Sequence, residues 1–554
     1  MTEQVPVLIV GGGGAGLAMS ILLRQQGIAA VLVERRPDIS WVPRARNLNF
    51  RTLEVFRGLG LEGEVRAAGV PVSRMFRRAT LASPDEEELG NPAQLHPAGM
   101  ERVSPEPFLW YCPQNRLEPI LRAAAQQRGC DVRYGTELVA FAPPPPSPPP
   151  LAREGGVGAE LRDRATGQTH IVQADYLIAA DGAHSHIRQS LGIKSEGHGG
   201  LEYFIFVYFR APWRSLIAGH EADAIQIRNA EVEGFFLVAK DDLGMFVITD
   251  RPVLGKSFEE YTAERCRKLI ERAIGQPGMP VEIIDVVHFQ VAESVAEEFA
   301  SGRVFLVGDA AHTMPGYKGL GLNTAIQSAQ NLAWKLAAVI HRQAGEGLLA
   351  SYHAERHPVG RFAAHQSLTG PGVAVLLRKE ALNDLLGGGD LPLFYPIVGY
   401  RYRSQAIVSE DANEAQPGEI ALLDRQELTG EPGTRVPHLW LERQGRRLST
   451  LDLIEGRFVL IAGAAGSPWC EAAPATAASL GIELAAYRIA PDAELRDPEG
   501  VATARMGLAP EGAMLIRPDG FVAWRARALP ASAQSTLKEV FSSVLCRSAS
   551  SIGA

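Results

Sequence analysis

Apolar residues run unbroken through residues 5–10 (VPVLIV), as in a strand buried on both faces. They then recur at helical spacing through GGGGAGLAMSILLRQQG as far as Gly27, and a second unbroken run, AAVLVE, ends in Glu34. The pattern predicts strand, tight turn, helix and strand. Far along the chain, SGRVFLVGD predicts a short strand that delivers Asp309 at its end. A second glycine-rich loop, GDAAHTMPGYKGLGLN, follows it. From about Asn323, NTAIQSAQNLAWKLAAVIHRQAG keeps apolar residues three and four apart and predicts a long helix. Between the two loops, over residues 201–250, LEYFIFVYFR, AIQIRN, GFFLVAK and GMFVITD are β-branched or aromatic runs separated by turn residues. They predict an antiparallel sheet. From about residue 416 come a strand FVLIAG, a helical ATAASLGI, a strand AAYRIA, and two strands in GAMLIRPDGFVAWRA joined around Pro518-Asp519-Gly520. The stretch FAPPPPSPPPLAREGG, residues 141–156, has no core of its own. It reads as a stiff polyproline-II connection, with a ligand for proline-binding modules as the alternative.

A chain of 554 residues exceeds what one core fills, so two or three domains are expected. The net charge of -8 argues against nucleic acid or an anionic membrane surface as partner. No apolar run is long enough to span a bilayer, and strand-like VPVLIV begins where a secretory leader would need its basic and apolar regions. Cys112, Cys130, Cys266, Cys470 and Cys546 show neither CxxC nor metal-ligand spacing. Reduced thiols in a cytoplasmic protein are the expectation.

In the first loop Gly11, Gly13 and Gly16 stand in the positions of G-x-G-x-x-G. The first permits the turn, the second lets a pyrophosphate approach the backbone, and the third lets helix and strand pack closely. The helix N-terminus offers N–H groups to phosphate, and Glu34 lies where an acid should hold an adenosine ribose. NAD and FAD both fit this unit. The second loop separates them: it brings a carboxylate, Asp309, to the start of a long helix. A carboxylate there accepts from polyol hydroxyls, and a helix N-terminus stabilises the negative charge of a reduced flavin. The two loops thus read as grips on opposite ends of one extended FAD.

GDAAHTMP…GLGLN, together with GGGGAG and YLIAADGAHSHIRQSLGI, resembles the single-component FAD-dependent aromatic hydroxylases, the p-hydroxybenzoate hydroxylase-like flavoprotein monooxygenases. PRARNLNFRTLEVFRGLGL, CPQNRLEPILRAAA and LLASYHAERHPVG fit as well, and Asp181, Gly182, Ser185 and Arg188 match the family's DG pattern. YPIVGYRYRSQAI and PGTRVPHLWLERQGRRLSTLDLIEGRFVLIAG resemble the phenol and chlorophenol hydroxylase branch and its polyketide-tailoring relatives. The resemblance implies an α/β (α+β overall) fold. A Rossmann-like FAD-binding domain would cover residues 1–80, 111–196 and 290–380. An antiparallel-sheet substrate domain would cover 81–110 and 197–289, a helical connection 381–415, and a thioredoxin-like domain 416–546.

It also implies that Gly11, Gly13, Gly14, Ala15 and Gly16 hold the pyrophosphate and Glu34 the ribose, with Arg35 beside the adenine. Arg44 and Gln114 would touch the ribityl and phosphate region, and Asp181 the pyrophosphate, with a link to NAD(P)H use. Asp309 would bind the ribityl chain. Within Gly321, Leu322 and Asn323, the last two would present backbone N–H groups to the flavin O2. Cofactors would be FAD and a transient NAD(P)H, and partners an aromatic small molecule, O2 and a possible second copy of the chain. The implied reaction is hydroxylation of a phenolic or polycyclic, polyketide-like ring through oxygen added at flavin C4a. Baeyer–Villiger insertion, or an idle flavin-dependent binder of aromatic ligands, remains as the alternative.

The family reads P-P-x-G-G where this chain has Pro315-Gly316-Tyr317-Lys318-Gly319, and aspartate where it has Ser328. Tyr317 and Lys318 are expected at the site or its mouth. Phenolate formation needs a base or proton relay, for which Tyr317, His312, Tyr208 and Gln226 are the candidates. Tyr203, Phe206, Tyr208, Gln226, Phe235 and Phe236 could line the substrate face, although alternation sends only half of any run there. In the tail, Cys470 stands alone in SPWCEAAP, so redox exchange is not expected.

Overall fold

The first apolar run forms the strand Glu3–Val10, central in a parallel sheet of the computed structural model. The structure describes residues 2–42, 45–71, 75–89, 97–142, 156–198, 202–218, 224–240, 243–249, 260–370, 389–410 and 419–547. On one side of this strand lie Ala30–Glu34 and Asp131–Tyr134; on the other lie Thr169–Ala179 and Val304–Leu306, all parallel to it. Val7, Leu8 and Ile9 are wholly buried, as the unbroken apolar run requires of a strand covered on both faces. The helix Gly14–Gln25 follows at once, and the long helix Leu320–Ile340 packs beside it. Both glycine-rich loops therefore open at the same edge of one sheet. That edge is where the carboxyl ends of parallel strands place ligands in doubly wound folds.

The second unit is a seven-stranded sheet in the order Glu282–Val291, Glu202–Arg210, Leu243–Ile248, Glu233–Lys240, Ala224–Arg228, Met75–Arg78 and Glu87–Glu88. Ile205, Val207, Phe209, Ile225, Ile227, Phe236, Phe246 and Ile248 form one core with Trp213 and the helix Ala263–Ile274. The opposite face carries Phe204, Tyr208, Leu237, Met245 and Val247, with Phe206 and Phe235 packed against them. Period-two alternation thus separates a structural face from an aromatic face. Phe236, expected among the lining residues, belongs to the structural face. The side chain of Tyr203 lies outside the described residues.

The boundaries differ from those read in the sequence. Met75–Arg78, placed there within 1–80, is a strand of the second sheet and pairs in parallel with Ala224–Arg228. Leu109–Tyr111 pairs with Asn47–Asn49 of the first unit, although residues 109 and 110 fall in the segment assigned to the substrate domain. Both strands are too short for a period to show. A helical connection is expected over 381–415, but its described residues form only the four-residue helix Phe394–Ile397 and the strand Tyr400–Arg401. Pro396 and Gly399 stop a longer helix there. The polyproline run falls outside the described residues from 143 to 155.

The C-terminal unit has a four-stranded sheet ordered Leu484–Arg488, Phe458–Ala462, Ala513–Ile516 and Val522–Ala526. The first pair is parallel and the others antiparallel, with the helices Ser467–Leu480 and Ala533–Val544 packed together against one face. This is the thioredoxin-like arrangement. Cys470 lies in the first turn of its helix, and burial pushes its thiol up to about 11. It is a thiol at physiological pH, not a nucleophilic thiolate. Among the described residues no helix is long and apolar enough to cross a membrane.

Candidate active site

At the first loop, Gly11 has φ +115°, and a Cβ there would lie 2.1 Å from the Ala180 carbonyl oxygen. A Cβ on Gly16 would lie 1.9 Å from the Gly11 carbonyl oxygen. These two glycines are fixed by close backbone packing. Gly13 differs: a Cβ there would meet only Glu118 Oε1, at 3.6 Å. The backbone at Gly13 therefore borders open space, as an approaching pyrophosphate requires. The Gly12 N–H donates to Glu34 Oε2 at 2.7 Å, while Glu34 Oε1 accepts from the backbone N–H and Nε of Arg36, each at 2.9 Å. Burial pushes the Glu34 carboxyl up, but the Arg36 hydrogen bonds and the Gly12 amide hold it below its ordinary value. Glu34 is thus an ionised acceptor at the strand end. Arg36 is its partner, and Arg35 is exposed, with its carbonyl accepting from Arg164.

Gly308 joins the second loop to the first. It has φ +68°, and a Cβ there would press on the methyl groups of Ala15, 3.0 Å away, and Ala325, 3.3 Å away. Leu322 in turn covers Gly14, where a Cβ would approach its Cδ1 to 2.7 Å. Gly321 sits beside Met314. Asn323 is buried and ties the helix start to the neighbouring strand: its Oδ1 accepts from the Asn49 N–H at 2.9 Å, and its Nδ2 donates to the Asn47 and Gly319 carbonyls. Asp309, next to Gly308 in this loop, is exposed.

The DG segment is bonded to the same place. Arg188 donates to the Ala310 carbonyl at 2.8 Å and to the Ala183 carbonyl at 3.0 Å, and Ser185 caps the helix His186–Ser190. Asp181 accepts from the Ile187 N–H through Oδ2, leaving Oδ1 buried without a partner among the described residues. Gln114 holds the chain just after Arg44, through its own N–H to the Ala45 carbonyl and its Oε1 from the Ala45 N–H. Arg44 itself lies outside the described residues.

Glu118 escaped the sequence reading. It is fully buried, bonded through Oε1 to Gln114, and its Oε2 has no partner among the described residues. Burial pushes its carboxyl above its ordinary value, against the opposing pull of Gln114 and Arg36. The signal was there: a carboxylate fills a position where Leu117, Leu121, Ala124 and Ala125 mark an apolar helix face. Acceptor atoms without a partner among the described residues and a glycine backbone bordering open space together fit a long phosphate- and polyol-bearing cofactor.

The proton-relay candidates are spread out. Tyr317 packs edge-on against Phe204, with ring centroids 6.1 Å apart, so the second loop touches the aromatic face of the sheet. Tyr208, 2% exposed, is met edge-on by Trp41 at 5.1 Å. Gln226 accepts from Arg77 Nε at 2.9 Å, and Arg77 is paired to Glu87. His312 is wholly buried against Phe299 and Gly360, and burial brings its ring down to about 3, so it is neutral near pH 7. Lys318 turns away to Asp390 and Thr369. Ser328 accepts from Arg356, whose remaining partners are the Tyr400 and Tyr402 hydroxyls and the Thr324 carbonyl.

Residues 4–367 match the family model described as FAD binding domain, and residues 429–547 the one described as Aromatic-ring hydroxylase, C-terminal. Tetracenomycin A2 monooxygenase-dioxygenase of Streptomyces glaucescens is 37% identical, over 100% of this chain and 99% of its own. The 4-methyl-5-nitrocatechol 5-monooxygenase of a Burkholderia species is 38% identical over 98% of each. Among solved structures, aklavinone-11 hydroxylase with FAD and aklavinone superposes with a TM-score of 0.88 at 33% identity, over 99% of this chain and 100% of that one. With the two loops packed against each other and Tyr317 of the second touching the aromatic sheet face, the chain belongs to the FAD-dependent aromatic-ring hydroxylases and is an FAD-dependent monooxygenase.

Proposed function

We propose that the enzyme hydroxylates a multi-ring phenol of polyketide type, using NAD(P)H as a transient reductant. The observation that carries this is the extent of the aromatic face. Phe204, Phe206, Tyr208 and Phe235 lie on one side of the sheet, with Trp41 and Tyr317 packed onto it from the first unit. Flat polycyclic ligands match such a wall by stacking and edge contacts. The tetracenomycin and aklavinone named for its relatives are consistent with that class; the nitrocatechol relative acts on a single ring and supplies the competing reading.

The bound flavin supplies the activated oxygen and takes up hydride. The chain's own residues orient and exclude. Gly11, Gly13, Gly14, Ala15 and Gly16, with Glu34 and Asp181, would hold the adenosine and pyrophosphate end. Gln114, Asp309, Leu322 and Asn323 would hold the ribityl and ring end, Arg44 being assigned there by resemblance. Tyr317 and Trp41 keep water from the aromatic face, and the substrate completes the wall beside Gly316, around which a Cβ meets nothing within 4 Å. Five free cysteines suit a reducing, cytoplasmic setting, and a homodimer belongs to the proposal.

Peroxide set against hydroxylated product, measured across phenol, a naphthol and a tricyclic phenol, tests the reading. The tricyclic phenol should give product with little peroxide, and phenol mainly peroxide. Efficient hydroxylation of phenol with no binding of the tricyclic compound would assign a small-phenol hydroxylase instead.

A further inference from the structure

Lys318 puts a charged side chain where the P-P-x-G-G pattern has a glycine. It closes the single turn Gly316–Lys318, between Pro315 and the start of the long helix. That turn carries Tyr317, whose ring meets Phe204 of the aromatic face edge-on at 6.1 Å. Gly316 gives the turn no side-chain packing: it is exposed, and a Cβ there would meet nothing within 4 Å. Glycine also leaves the backbone more conformations to lose. The place of Tyr317 therefore depends on what ties the turn at its far end.

There the Gly319 carbonyl accepts from Asn323 Nδ2 at 2.6 Å. Lys318 Nζ pairs with Asp390 Oδ1 and donates to the Thr369 hydroxyl at 3.1 Å. The receiving side is itself fixed. Thr369 and Gln366 are buried, and the Thr369 hydroxyl lies 3.2 Å from Asp390 Oδ1. Gln366 holds the backbone on both sides of Asp390, through Nε2 to the Gly389 carbonyl at 3.3 Å and through Oε1 from the Leu391 N–H at 3.0 Å. Gly370 makes room for the carboxylate, since a Cβ there would lie 2.7 Å from Asp390 Oδ2. The Lys318 side chain is 14% exposed and that of Asp390 42%, so water screens the pair only in part.

We propose that Lys318, through Asp390 and Thr369, is a positioning residue that holds Tyr317 against the aromatic face and so couples NAD(P)H oxidation to oxygen transfer. Tyr317 seated on Phe204 shuts water from the face beside Gly316. When the pair parts, the turn swings about Gly316 and water enters. One NAD(P)H, one proton and one O2 then give NAD(P)+ and hydrogen peroxide, with no oxygen in the ring. The inference rests on the reading above that an aromatic ring is hydroxylated at this face, and it names a residue that keeps that face closed.

The ratio of peroxide to hydroxylated product is measured on the FAD-loaded enzyme with phenol, 2-naphthol and a tricyclic phenol. For the compound that the wild type hydroxylates best, Lys318→Met should raise the ratio about two- to fivefold, the worth of one partly exposed ion pair. FAD affinity should not change. In Tyr317→Ala, where the wall is already open, adding Lys318→Met should raise the ratio no further. Without substrate, Lys318→Met should quicken amide hydrogen exchange over residues 316–319 and leave the helix Gly14–Gln25 as it was. Unchanged peroxide, or unchanged exchange over the turn, would overturn the proposal and leave the substrate reading standing. A rise in the Tyr317→Ala background as large as in the wild type would also overturn it, since the lysine would then act without the tyrosine. Loss of FAD affinity in Lys318→Met would overturn it and assign the lysine to the cofactor. A wild type that hydroxylates none of the three phenols would overturn both readings.

Discussion

At the scale of single residues, much of the site is set by what cannot be larger than glycine. Gly11 and Gly16 are closed by backbone oxygens, and Gly308 by two alanine methyls, so the two loops meet with no room between them. The polar residues then differ by environment. Glu34 is an ionised acceptor held by one amide and an arginine, whereas Glu118 is pushed toward its neutral form by burial. Asp309 is exposed beside Gly308. Asp309→Ala should weaken FAD binding by about 1.5–3 kcal/mol, the range for hydrogen bonds to a charged group, which is roughly tenfold to a hundredfold in affinity. Flavin fluorescence titration of the refolded apoprotein measures it, and unchanged affinity in a folded variant would detach Asp309 from the cofactor. The tight packing at Gly11 and Gly16 and the place of Glu34 at a strand end were legible in the sequence, because each carries its meaning in its immediate neighbours. Glu118 was not, since what marks it is an acceptor atom without a partner among the described residues, and only the packed structure shows which atoms lack one.

At the scale of elements, the long helix Leu320–Ile340 links cofactor grip and C-terminal unit. Its first turn holds Leu322 and Asn323. Further along, Asn331 and Lys335 enter a wholly buried network with Glu355, Arg517 and Asp519. Arg517 and Asp519 flank Pro518 in the turn that the sequence marks as a simple strand connection. The turn serves a second purpose, anchoring the thioredoxin-like unit to the helix whose first turn is proposed to meet the flavin. Local turn chemistry announced the shape but not the partner. Burial pushes Glu355 up, but the charges and hydrogen bonds of Arg517 and Lys335 hold it well below the usual carboxylate range. A depressed folded value means that its stabilisation is complete above the unfolded carboxyl value of about 4.3 and is lost as pH falls below it. Glu355→Gln, which takes from buried Lys335 its carboxylate partner and leaves Arg517 with Asp519 alone, should cost about 3–5 kcal/mol at pH 7. Thermal unfolding at pH 7 and pH 4 should show the wild type losing stability on acidification and the variant losing less. Equal loss in both would place the acid sensitivity elsewhere.

At the scale of the molecule, a parallel-sheet unit grips the cofactor, an antiparallel sheet lays an aromatic wall beside it, and a thioredoxin-like unit braces the long helix. The sequence made all three units legible, because each has its own period: unbroken runs, alternating runs, and a strand–helix–strand ending in a hairpin. Their borders were less legible, since Met75–Arg78 joins a sheet built mostly from residues more than a hundred positions later. The reaction is assigned to the space between units. Incubation of the FAD-loaded protein with NADPH, a tricyclic phenol and isotopically labelled O2, followed by mass spectrometry, tests that claim most directly. The account predicts one labelled oxygen atom in the product, as a hydroxyl on an intact ring. Product oxygen drawn from water, a ring-expanded lactone, or NADPH oxidation that no aromatic compound stimulates would contradict it.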